Sequence, residues 1–135
     1  AVQSFKWSLD NGQWQGRVGT IEDAHKRAAK DMGDSTINKK NIQALWHKVT
    51  PGLDGEFDCP SMLRLFAPRP LLILNTEKDL NNPLPGAMIA YNSAKKAYRA
   101  KGASGKLSMF VQPKLGHMAT PLEMQMLVDW FVKWL

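Results

Sequence analysis

A single cysteine, Cys59, excludes an intrachain disulfide and any metal site built on paired thiolates. It stands between Asp58 and Pro60 and is expected to be a plain buried or half-buried thiol. No apolar run approaches the length of a bilayer, so no membrane span is expected. The first residues, Ala1-Val2-Gln3-Ser4, have neither a basic nor an apolar leader region and do not read as a signal peptide. They also lack an initiator Met, so we expect the start of a fragment or of a processed chain. The compartment stays open on these grounds, with a lean toward the cytoplasm. Basic residues exceed acidic ones by 18 to 12, a net charge of +6. They are scattered (Lys26/Arg27/Lys30, Lys39/Lys40, Lys95/Lys96/Arg99/Lys101) and do not interleave with aromatics. That pattern reads as a solvated basic surface rather than a nucleic-acid interface. Gly-x-Ser-x-Gly, the strand-to-helix turn that exposes a nucleophilic serine, occurs nowhere in the 135 residues.

What is present divides into two grammars within a chain no longer than one domain. Residues 1–60 lack strand-like runs and read as a loop and helical segment. Residues 1–19 are expected to be loop-like. A helix is expected after Thr20, with Thr20 and Asp23 as a capping box, running to Met32 and stopping at Gly33. A second fits 38–48, where Ile42, Leu45 and Trp46 share one face and Pro51-Gly52 terminates it. A short helical turn near 60–66 must end before Pro68.

Residues 61–135 read as an α/β unit. The run 70–75 suits a strand buried on both faces of a parallel sheet. A loop over 76–85 leads to a helix over 86–101, with Ala87, Tyr91, Ala94 and Tyr98 on one face. A second strand covers 106–112. Thr120-Pro121-Leu122-Glu123 opens a last helix with a capping box and a first-turn proline. Its expected apolar stripe is Leu127, Val128, Phe131 and Leu135, with Trp130 and Trp134 alongside. Strand, helix, strand, helix is a βαβα unit with parallel strands. Two strands alone are marginal, so partner strands from outside this chain are expected.

Two loops carry chemistry. Asp79 follows the first strand, and His117 follows the second. Ligands of open α/β sheets sit beyond the carboxyl ends of the strands, and adjacent parallel strands would bring these loops together. A carboxylate on one imidazole nitrogen fixes the tautomer and supports the imidazolium formed when the other nitrogen takes a hydroxyl proton. Residue by residue, an Asp after a strand also reads as a turn or cap residue, and a His after Gly also reads as a solvated loop residue. Glu77 is a competing acid. Among in-chain serines, Ser104 lies before a strand and reads as a turn residue, and Ser61 reads as a near-cap residue. Ser4, Ser8, Ser35, Ser93 and Ser108 lack an elbow context. His25 and His47 have no ligand partners at metal spacing and read as structural or solvated. Trp7, Trp14 and Trp46 read as packing aromatics more readily than as the lining of an acyl pocket.

Several stretches resemble the α/β-hydrolase fold, within it the dienelactone hydrolase-like and acyl-peptidase-like enzymes. They are Ala67-Pro68-Arg69-Pro70-Leu71-Leu72-Ile73-Leu74, Glu77-Lys78-Asp79, Pro83, Gly116-His117, Thr120-Pro121 and Trp130-Phe131. Upstream, Phe5-Lys6-Trp7, Trp14-Gln15-Gly16-Arg17-Val18, Pro51-Gly52-Leu53 and Phe57-Asp58 look like the cap-side region of a plant and bacterial branch. The resemblance implies the C-terminal portion of such a hydrolase preceded by a helical cap-like segment. It implies Asp79 and His117 as the acid and histidine of a Ser-Asp-His triad, and no cofactor. It implies a small acyl ester or peptide-like substrate. The serine and most oxyanion donors would lie upstream. The missing N-terminal half, or another copy of the chain, would complete the sheet. The alternative reading is a non-catalytic binding or assembly module that kept the fold.

Overall fold

The computed structural model describes residues 2–134 and shows a mixed α/β chain with a two-stranded parallel sheet. The first sixty residues hold more helix than the sequence pattern suggests. Helices α1 (Phe5–Asp10) and α2 (Gln15–Gly19) occupy the stretch expected to be loop. Helices this short do not persist on local propensity, and α1 is held by a distant residue. The buried Asp58 carboxylate accepts from Ser4 Oγ (2.8 Å), Phe5 N (2.8 Å), Lys6 N (3.2 Å) and Cys59 N (2.8 Å). One side chain thus caps α1 and also α5 (Cys59–Met62).

Helix α3 (Glu22–Asp31) starts later than Thr20, and the expected capping box is absent. The Thr20 hydroxyl turns back to donate to Arg17 O (2.7 Å), because the chain is still leaving α2 at that point. Gly33, at φ +78°, follows the helix as expected. Helix α4 (Lys39–Val49) carries its own reciprocal box. Asn38 Oδ1 accepts from Lys40 N and Asn41 N, and Asn41 Oδ1 accepts from Asn38 N. Ile42 and Trp46 bury the predicted face against Leu9 and Val18, with Phe5 and Trp14 packed alongside.

The second half follows its expected order. A 3-10 turn, Leu63–Phe66, leads to β1 (Leu71–Thr76), α6 (Leu84–Ala100), β2 (Leu107–Gln112) and α7 (Pro121–Trp134). β1 and β2 pair in parallel with Leu71 opposite Leu107 and Thr76 opposite Gln112. Side chains alternate across the strands. Leu71, Ile73, Leu107 and Met109 face α6, where Ala90, Ala94 and Tyr98 are fully buried. Leu72 and Ser108 face α7 near Met126 and Trp130. This second face is covered less tightly, and Leu72 and Leu74 are only half-buried, short of the two-sided burial expected for β1.

Helix α7 opens on the predicted box, with Glu123 Oε2 accepting from Thr120 N (2.8 Å) and Glu123 N donating to Thr120 Oγ1 (3.2 Å). Its expected stripe is corrected in part. Leu127 is half-buried, but Val128 and Phe131 are 54% and 51% exposed, and Met126 joins Trp130 toward the sheet. Leu135 lies outside the described residues. No helix among the described residues is long and apolar enough to cross a membrane.

Candidate active site

The parallel register places the carboxyl ends of β1 and β2 side by side, and the two loops beyond them are stitched together. Thr76 Oγ1 donates to Gly116 O (2.7 Å), and Lys78 N donates to Leu115 O (2.8 Å). Lys114, at φ +64°, makes the turn of the second loop, and its N–H donates to Glu77 Oε2 (2.6 Å). Glu77, the competing acid, is thus occupied at the far end of the histidine loop.

Asp79 is the acid that meets the histidine. His117 Nδ1 lies 2.9 Å from Asp79 Oδ2. The carboxylate is buried, whereas the imidazole side chain is 58% exposed. Asp79 Oδ1 accepts from Asn81 N (2.7 Å) and Asn82 N (2.9 Å), and Oδ2 also accepts from Asn82 Nδ2 (2.9 Å). Burial pushes the Asp79 carboxyl up. The hydrogen bonds from His117, from the Asn82 side chain and backbone, and from Asn81 outweigh it and leave the group below the ordinary Asp value. An ionised carboxylate only accepts, so the imidazole places its N–H on Nδ1. The Nε2 lone pair is then available as a proton acceptor.

A cavity of about 250 Å³ opens beside this pair, lined in part by Leu74, Thr76, His117, Met118 and Met124. Among the described residues no serine lines it. The hydroxyl of Thr76 in its wall is buried and committed to Gly116 O. Ser4, Ser8 and Ser93 are held in structural hydrogen bonds. Ser4 Oγ donates to Asp58 and accepts from Trp7 N, Ser8 Oγ donates to Gln3 Oε1, and Ser93 Oγ donates to Pro60 O.

Comparison with protein-family models, with curated proteins and with solved structures returned no match. The chemistry of the site therefore rests on its own geometry.

The remaining sequence candidates fall elsewhere. His25 is fully buried; its Nδ1 donates to Ile21 O (3.1 Å) and its Nε2 accepts from Trp46 Nε1 (3.1 Å). Both ring nitrogens are spent, and the residue is structural. His47 is half-exposed and pairs with Asp54 (2.7 Å). Among the described residues no group of three or more His, Cys, Asp or Glu side chains is placed to hold a metal ion. Trp46 packs edge-on against Phe5, with ring centroids 5.5 Å apart. These two rings also line an apolar cavity of about 380 Å³ with Ile21, Leu45 and Leu53. Cys59 is half-buried.

Sequence reasoning missed the support of the acid loop. Asn82, three residues after Asp79, carries a weak local signal as an Asx-type turn partner. Gly16 and Arg17, which brace the loop from α2, fall in a stretch read as cap-side and carry no local signal for that contact.

Proposed function

We propose that this chain is the later part of a serine hydrolase of α/β-hydrolase architecture, acting on an ester or related acyl bond. The observation that carries the reading is the 2.9 Å contact between the buried Asp79 carboxylate and the exposed His117 imidazole, made across consecutive βα loops. His117 Nε2 takes the proton of a serine hydroxyl as it attacks the acyl carbon and returns it to the leaving group. Asp79 holds the Nδ1–H tautomer and stabilises the imidazolium between those events. The serine and most of the oxyanion donors come from residues outside this chain. The partner that brings them also completes the sheet, and it is either the N-terminal half of the same hydrolase or another copy of this chain.

The test is active-site labelling of the protein that includes the upstream residues, with a serine-directed fluorophosphonate. Labelling is expected in the parent and lost in His117→Ala, while the present chain alone stays unlabelled. Equal labelling of parent and variant would remove His117 from the mechanism.

A non-catalytic binding or assembly module is the second reading. The exposed apolar side of α7, with Leu122, Val128, Phe131 and Val132 all more than half exposed, favours it. Loss of all acyl turnover in the extended protein, with partner binding intact, would select this reading over the first.

A further inference from the structure

Helix α2 packs its N-terminal end against the acid loop. A Cβ on Gly16 would stand 2.3 Å from Leu80 O, so only glycine admits this approach. The next residue, Arg17, sends Nη2 to Asn81 O (3.1 Å) and to Asn82 Oδ1 (3.2 Å). Asn82 in turn donates Nδ2 to Asp79 Oδ2 (2.9 Å), the oxygen that also receives His117 Nδ1.

The order of these bonds has a chemical consequence. A guanidinium only donates, and an ionised carboxylate only accepts. Between them, the Asn82 amide has one workable orientation, oxygen toward Arg17 and nitrogen toward Asp79. Without the guanidinium the Asn82 oxygen and Asn81 O lose their donor, and only the bond to the carboxylate still holds the Asn82 amide. The amide then has more freedom to move, and the donor it gives Asp79 is held less firmly. Arg17 keeps this arrangement at a cost, since its Nε is buried with no acceptor among the described residues.

We infer that Arg17 is a positioning residue for the His117–Asp79 pair, acting from 65 residues upstream of Asn82 by bracing the Asn82 amide. The role rests on the reading of that pair as a proton-transfer device, but its test does not need turnover.

The test is ¹⁵N spectroscopy of the histidine rings, with His117→Gln to assign the signal. The unmodified protein should show His117 as the Nδ1–H tautomer when neutral. Arg17→Met keeps the apolar stem and removes the guanidinium. It should lower the Nδ1–H to Nε2–H preference by roughly tenfold, about what one hydrogen bond to a charged group is worth. Asn82→Ala should lower it to a similar degree, and the double variant should fall no further. Arg17→Lys should recover part of the preference, because an ammonium lacks the planar fork. An unchanged tautomer in a natively folded Arg17→Met protein would overturn the inference, as would fully additive effects in the double variant. Should Arg17→Met fail to fold, Arg17→Lys and Asn82→Ala decide the matter in the same way. Absent fluorophosphonate labelling with an Arg17-dependent tautomer would sink the hydrolase reading alone. Labelling that needs His117 but a tautomer indifferent to Arg17 would sink this inference alone.

Discussion

Gly16 and Gly19 lie in the same short helix α2 and make opposite predictions for the same substitution. A Cβ on Gly16 would meet Leu80 O at 2.3 Å, Leu80 C at 2.5 Å and Asn81 Oδ1 at 2.6 Å. Two of these are backbone atoms, so no rotamer relieves the overlap. The loop must retreat by about 1 Å to restore ordinary van der Waals contact. It retreats at the residues that follow Asp79, and the Asn81 and Asn82 N–H bonds to Asp79 Oδ1 stretch with it. Overpacking of this kind costs about 1–3 kcal/mol, and a weakened hydrogen bond to a carboxylate adds about 1–2 kcal/mol. Gly16→Ala should therefore destabilise by roughly 2–5 kcal/mol, read as a lower urea midpoint at unchanged m. In the extended protein, fluorophosphonate labelling should slow by about a hundredfold, the effect of a displacement near 1 Å on a reacting group. Gly19 is the control. Nothing lies within 4 Å of its added Cβ, and its φ is not positive. Gly19→Ala should be neutral or stabilise by about 0.5–1 kcal/mol through helix propensity. Equal midpoints for the two variants would refute the packing of α2 on the acid loop.

Three further outcomes follow from single residues. Asp58→Ala removes one acceptor from two helices and orphans up to four donors, so unfolding free energy should fall by roughly 3 kcal/mol in denaturant titration. His25→Leu leaves Trp46 Nε1–H unpaired in the core, while Ile21 O keeps its bond from the backbone N–H of residue 25, and the thermal midpoint should drop by about 5 °C in calorimetry. Asp79 has a carboxyl held below its ordinary value when folded. Its contribution to stability is present above the unfolded-state value near 3.8 and is lost as pH falls through the lower folded value. Acid unfolding of Asp79→Asn should be shallower below pH 4 than that of the parent, and a steeper profile would reverse the assigned shift.

Much of the second half was legible because its signals are local. An apolar run of strand length, a helix with small residues at Ala87 and Ala94, and the Thr120–Glu123 box each lie within a few residues of what they organise. The pairing of Asp79 with His117 was legible one step further out, since parallel strands bring their following loops together. The first twenty residues were not legible. Ser4 caps α1 locally, but the carboxylate that anchors it is Asp58, and α2 is held against residues 80–82, so no window of sequence contains both halves of either anchoring interaction. The stripe on α7 failed in part for a related reason. Periodicity reports which residues are apolar, not which of them the sheet turns inward.

The amino-acid sequence by itself determined the element order of residues 61–135, the parallel relation of the two strands, and the two loops on which an acid and a histidine fall. Those properties depend on side-chain period, caps and turn residues, all of short range. The tertiary structure decided which acid meets the histidine. Glu77 is drawn to Lys114 N, and Asp79 to His117, by a pairing across 38 residues of chain. It also decided that Gly16 and Arg17 support the pair. Steric fit and hydrogen-bond direction at that distance exist only once the chain has closed on itself.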